Sequence, residues 1–184
     1  MRTVLSVVVA GFFAAPLAAQ QAPNTAISFG GGIELLSVRD NQTWTPGLSL
    51  QASYWFRPVT DHLRFRVTTS YLRHTNNISW PTTFEAFGAS AEVVANANRG
   101  GTGLYGLAGI GVYRLRLDRF VNTMSDPTPR PSPLRATSPA VVLGVGFTKR
   151  IGTLTWFSEA RFTSFGNGAG IATHQLPLTF GVRF

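Results

Sequence analysis

The sequence predicts an all-β chain: an eight-stranded antiparallel up-and-down transmembrane barrel behind an N-terminal signal peptide. Three observations predict it. An export signal opens the chain, apolar and small polar residues alternate with period two through the rest, and the connections alternate long and short.

The export signal comes first. Arg2 is the positive n-region, Val4 to Phe13 form an apolar core broken by Ser6 and Gly11, and Ala14 to Ala19 supply small residues for cleavage. Cleavage is expected between Ala19 and Gln20, after export through the Sec pathway. That leaves 20–184 as one domain. The apolar core is too short to span a bilayer as a helix, and no later stretch approaches the roughly 20 apolar residues required. Charged residues make up 13% of the chain and aromatics 12%, with 19 glycines. That balance is poorer in charge than a typical soluble domain. With no cysteine in the chain, disulfides, thiol catalysis and thiolate metal sites are excluded. The net charge of +8 comes from arginines scattered singly, with Lys149 the one lysine. In an exported chain this points to lipid phosphate and internal ion pairs, and no nucleic acid is expected as a partner.

Eight alternating runs follow. Ile27, Phe29, Gly31, Ile33 and Leu35 oppose Ser28, Gly30, Gly32 and Glu34. Leu48, Leu50, Ala52, Tyr54 and Phe56 oppose Ser49, Gln51, Ser53, Trp55 and Arg57. Leu63, Phe65, Val67, Thr69 and Tyr71 oppose Arg64, Arg66, Thr68 and Ser70. Phe87, Ala89, Ala91, Val93 and Ala95 oppose Gly88, Ser90, Glu92 and Asn96. The fifth run, 104–117, reads either way. Ala108, Ile110 and Val112 share one face; Tyr105, Leu107, Tyr113 and Leu115 share the other, which is favoured for lipid because it keeps Arg114 and Arg116 off the membrane. Val141, Leu143, Val145 and Phe147 oppose Gly144, Gly146, Thr148 and Arg150. Leu154, Trp156, Ala160 and Phe162 oppose Thr155, Glu159 and Arg161, and Leu176 to Phe184 alternate with Thr179, Gly181 and Arg183. Strands of roughly 9 to 13 residues are expected, the length a tilted spanning strand needs.

Between the runs, 38–44, 73–83, 118–136 and 165–172 are the longer connections, while 57–61, 97–101 and 150–153 are short. That rhythm belongs to a barrel with loops outside and turns in the periplasm. The segment 118–136, with Pro127, Pro129, Pro131 and Pro133, is expected to be an extended, solvated loop. A soluble lipocalin-like barrel would show the same alternation inside out. The Gly, Ser and Thr of the polar face and the aromatics near strand ends favour the membrane version.

LPLTFGVRF at 176–184, GVGFTKRIG at 144–152 and FSEARF at 157–162 resemble the OmpA/OmpX-like family of small outer-membrane barrel domains. The resemblance implies that the barrel-assembly machinery reads the last strand, through Leu178, Phe180, Val182 and Phe184. No peptidoglycan-binding domain follows Phe184, so peptidoglycan anchoring is not expected. The implied setting is the outer membrane of a Gram-negative envelope, with the barrel a monomer.

Among the polar residues, the inward charges stand out. Glu34, Glu92 and Glu159 are expected to share the lumen with Arg64, Arg66 and Arg161, joined by Arg57, Arg150 or Arg183. Buried charges must pair. Packed pairs would plug the barrel, and the plugged arrangement is favoured over a water-separated pathway. Arg119, Arg130 and Arg135 in the proline-rich segment are candidates for lipopolysaccharide phosphates or an extracellular partner. Trp44 and Trp80 are placed at the outer interface or over the barrel mouth. Gly101, Gly103 and Gly106 spell a dinucleotide fingerprint but open a strand, not a helix, so they are read as chance. His62, His74 and His174 have no metal-ligand spacing. His174 could approach Ser164 across a hairpin, yet there is no His-x-Ser, the close register of lipid A deacylases. No cofactor and no enzymatic activity are expected. The leading function is a structural and surface-interaction role in the envelope. A narrow pore for small solutes and a lipid-modifying enzyme are the alternatives.

Overall fold

The computed structural model describes residues 25–38, 41–76, 82–99, 101–123, 126–166 and 174–184. The expected signal peptide and Trp80 lie outside the described residues, as does the side chain of Trp44. Eight strands follow in order: β1 (Ala26–Val38), β2 (Asn41–Pro58), β3 (Leu63–Asn76), β4 (Thr82–Asn96), β5 (Gly103–Thr123), β6 (Asp126–Ile151), β7 (Leu154–Phe165) and β8 (His174–Arg183). Each pairs antiparallel with the next, and β8 returns to β1, closing the barrel. Closure satisfies the backbone donors and acceptors that lipid would leave unpaired.

The register sets the barrel's shape. The ladder leads from Ile27 through Tyr54, Val67, Ala91, Ile110, Val141, Ser164 and His174, and comes back to β1 at Ser37. A stagger from Ile27 to Ser37 over eight strands tilts them about 40° from the axis at ordinary strand spacing. An interior of that width holds packed side chains and little else.

Alternation decides which side chains enter it. Ser28, Glu34, Ser49, Gln51, Ser53, Arg66, Thr68, Ser90, Glu92, Thr148, Glu159, Arg161 and Thr179 are buried. Leu48, Leu50, Phe65, Phe87, Val141, Leu143, Val145 and Phe180 are exposed to the lipid side. From Leu48 to Phe56 along tilted β2 is about 20 Å, on the scale of the apolar band of an outer-membrane barrel. Tyr54, Phe56, Phe65, Phe147, Trp156 and Phe184 ring its turn end, with Tyr54 and Phe56 in edge contact at 5.0 Å.

Short turns close that end. Leu63 N donates to Thr60 Oγ1 at 3.1 Å, and Val59 N to the Leu63 carbonyl at 2.8 Å. Gly152 sits at φ 63° between β6 and β7, a conformation that only glycine enters without strain. Gly101 (φ 72°) and Gly103 (φ 91°) do the same before β5, so two of the three fingerprint glycines serve a turn.

Two expectations are corrected. β5 turns its other face to the lipid: Ile110 and Val112 are exposed, while Tyr105, Leu107, Tyr113 and Leu115 are buried inside. Glycines directly opposite on the adjacent strands make room for these rings, since a Cβ at Gly146 would collide with Tyr105 and one at Gly88 with Tyr113. Arg114 and Arg116 do point outward, toward the mouth end, Arg116 beside Glu85 and Asp118 and Arg114 opposite Phe87. The second correction concerns the proline-rich segment, which is a continuation of the ladder and not a loop. Arg119 pairs with Ser132, Phe120 with Pro131 and Val121 with Arg130. The strands accordingly run from 10 to 26 residues. Prolines are tolerated here because the hairpin outgrows its neighbours: β4 last meets β5 at Asp118, and β7 last meets β6 at Ala140. Gly166 N donates to the Pro139 carbonyl at 2.8 Å, so this parity of β6 turns its backbone polar groups away from β5. Pro131 and Pro133 share that parity in an unbroken register, and their missing donors fall on the free edge.

Candidate functional site

Midway along the lumen, β3, β4 and β7 bring four of the six expected charges together. The alternation that aims Arg66, Glu92, Glu159 and Arg161 inward also aims Thr68, Ser90, Ser53 on β2 and Gln51 on β2 at the same level. Arg66 Nε donates to Glu92 Oε2 at 2.5 Å and Nη2 to Glu159 Oε1 at 2.8 Å. Arg161 Nη2 donates to Glu92 Oε1, and its Nη1 to Gln51 Oε1 at 3.0 Å. Ser90 Oγ gives Glu92 a further bond at 2.6 Å, and Tyr105 OH gives one to Glu159 Oε2 at 2.6 Å. Two arginines thus neutralise two carboxylates, and the remaining lone pairs go to hydroxyls. That meets most of the condition under which buried ion pairs stand, with Arg161 Nε and Gln51 Nε2 left without a hydrogen-bond partner among the described residues.

Beneath the network the lumen is filled by aromatic packing. Trp55 donates from Nε1 to Ser28 Oγ at 2.9 Å, and the guanidinium carbons of Arg66 and Arg183 each lie 4.8 Å from its ring centroid. Arg183 Nη2 and Thr148 Oγ1 both donate to the Gly101 carbonyl, at 3.2 and 3.1 Å. Val94, Leu107 and Val142 complete this cluster with Trp55 and Tyr105. Beside Arg161, Gln51 and Ser70, the space left over is about 10 Å³, enough for one water.

Toward the mouth the filling changes. Leu72, Phe84, Ala86, Tyr113, Leu115, Ala140 and Phe165 form an apolar cluster. On the neighbouring strands Glu34 is fully buried, and neither carboxylate oxygen has a hydrogen-bond partner among the described residues. The same holds for the side-chain polar atoms of Gln175, Ser49 and His74.

The expected charge network is therefore smaller than the sequence suggested. Glu34 sits apart, near the mouth. Arg64 lies half-exposed at the turn end with no ion pair among the described residues. Of the further arginines, Arg183 enters the lumen while Arg57 and Arg150 are exposed. Tyr105, expected on the lipid face, joins the lumen instead; the apolar trio Ala108, Ile110 and Val112 on the opposite face is the sequence signal for that facing. Leu178 and Val182 on β8 are half-buried and Phe180 and Phe184 exposed, all on the lipid side. Arg135 is exposed, and the side chains of Arg119 and Arg130 lie outside the described residues. Ser164 and His174 are direct cross-strand partners, but on the lipid side, where His174 stacks on Phe162 at 5.2 Å. No group of three metal-ligating side chains occurs among the described residues.

No family model matches the chain, and neither does any curated protein. Solved structures do. Neisserial surface protein A aligns over 86% of this chain and 95% of its own at a TM-score of 0.57 and 16% identity. Ail, the attachment invasion locus protein of Yersinia pestis, aligns over 88% of this chain and 98% of its own, at a TM-score of 0.56 and 15% identity. The same protein in complex with the heparin analogue sucrose octasulfate gives 0.54 and 17%. The likeness is one of fold: the chain is an eight-stranded transmembrane β-barrel of the small outer-membrane type.

Proposed function

We propose that this chain is a monomeric barrel of the outer membrane, with a structural and surface-interaction role and a lumen closed to solutes. The observation that carries the reading is the Arg66–Glu92–Arg161–Glu159 cluster spanning the lumen above the Trp55 packing. A solute would have to break charge-assisted bonds buried away from water, each worth more than a neutral one. Export is assigned to residues 1–19 and contact with the assembly machinery to Leu178, Phe180, Val182 and Phe184. Phe184→Ala is expected to lower the amount of barrel in outer-membrane fractions.

The surface role rests on the β5–β6 hairpin, which extends beyond the other strands and carries Arg119, Arg130 and Arg135. Anionic groups outside the cell, such as lipopolysaccharide phosphates or sulfated glycans, match that charge. Ail, a fold relative, was solved with a sulfated ligand of this kind. The first test is migration of unboiled against boiled protein from outer-membrane fractions, followed by planar-bilayer recording. A faster unboiled band with no conductance steps is expected. Discrete steps would overturn the closed lumen, and a soluble periplasmic protein would overturn the membrane barrel.

A further inference from the structure

The outward face of β3–β6 carries a like-charge contact that the fold itself does not resolve. Arg116 on β5 pairs directly with Arg135 on β6, and like charges in that position repel. Arg114 lies two residues along on the same face, opposite Phe87, and Arg73 lies across Glu85. Four arginines therefore surround two acids. Asp118 is used by Arg116, through bonds of 3.0 and 2.8 Å. Glu85 accepts from Tyr71 OH at 3.0 Å and stands 3.9 Å from both Arg73 and Arg116. Arg114 and Arg135 have no ion pair among the described residues. Together with Tyr71, Glu85, Phe87 and Arg116 they line an open hollow of about 260 Å³.

Directly below, on the same face, lies a groove of about 860 Å³. Its floor is low because β4 presents Ala89 and Ala91 between the larger Val67 on one side and Ile110, Val112 and Val141 on the other. Each step is two residues toward the turn end: Phe87 to Ala89 on β4, Arg114 to Val112 on β5. A cationic hollow thus continues into an apolar channel where the membrane surface meets its hydrocarbon.

We propose that this face binds a phosphorylated, acylated lipid of the outer leaflet, with lipid A chemistry. Arg114, Arg116 and Arg135 hold a phosphate that relieves their repulsion, and one acyl chain lies over Ala89 and Ala91. The charge selects the anion and the groove selects a lipid over a free phosphate. The inference deepens the surface-interaction reading above, and it rests on the barrel being in a membrane.

The test uses the full mature barrel refolded into phosphatidylcholine vesicles, with heat-modifiable migration checked for every variant. Binding of bisphosphorylated lipid A is measured by titration and compared with its dephosphorylated form. The doubly substituted R114Q/R135Q barrel is expected to bind at least about tenfold more weakly, since two charge-assisted contacts are lost. Ala91→Phe, which fills the groove without touching the charge, is expected to weaken binding by a similar factor. Dephosphorylated lipid A is expected to bind wild type no better than it binds R114Q/R135Q. Unchanged affinity in either variant, at normal heat-modifiable migration, overturns the site while leaving the membrane barrel intact. Equal affinity for phosphatidylglycerol overturns the lipid A assignment. Loss of the faster band in wild type would instead remove the barrel reading beneath it.

Discussion

The lumen holds two kinds of buried polar group, and they obey different accounting. Around Glu92 and Glu159 every carboxylate oxygen has a donor, and the charges cancel locally. Toward the mouth Glu34 and Gln175 are as deeply buried, yet their side-chain polar atoms make no hydrogen bonds among the described residues. Burial alone therefore says little about stability. What separates the regions is reciprocity: in the first, removing one partner strands another, and in the second there is no partner to strand.

The largest expected effect is in the paired region. Glu159→Ala leaves Arg66 with half its counter-charge and is expected to lower unfolding free energy by about 3–5 kcal/mol, measured by guanidinium titration in detergent micelles. Adding Arg66→Met restores a neutral Glu92–Arg161 pair and should recover about half of that loss, since groups in one network are not additive. An additive double variant would mean the network is four separate contacts. Next in size is Tyr105→Phe, which removes one donor to Glu159 and should cost about 1–2 kcal/mol in the same titration.

The smallest effect, with the opposite sign, belongs near the mouth. Glu34→Gln keeps the shape and replaces a carboxyl group that has no partner among the described residues, so the unfolding midpoint should hold or rise. A clear fall would show that Glu34 is bridged by ordered water to Gln175 or His74, and the contrast between the two regions would close.

Most of the fold was legible because a spanning strand exposes opposite faces to two unlike environments. Runs such as Leu48 to Phe56 and Val141 to Phe147 carry that contrast in the letters themselves. The fifth strand misled because height along the barrel is not written in one strand's alternation. Arg114 and Arg116 look intolerable on a lipid face until the register places them toward the mouth end, with Arg116 beside Glu85 and Asp118. Of the site, the inward charges were legible and their partition was not. Which carboxylate meets which guanidinium depends on the stagger from Ile27 to Ser37, a property of the closed ladder as a whole. The same applies to Tyr105, whose partner Glu159 lies 54 residues on in sequence and on β7, with β6 between them.

The prolines of β6 bear on how such barrels live at high density. A hairpin that stands clear of its sheet offers its outer edge to any passing chain. At Pro131 and Pro133 the edge has carbonyls to offer and no amide hydrogens, so an arriving strand finds half of each bond missing. The part of the β5–β6 hairpin that extends past its neighbours is thereby made a poor template for strand addition.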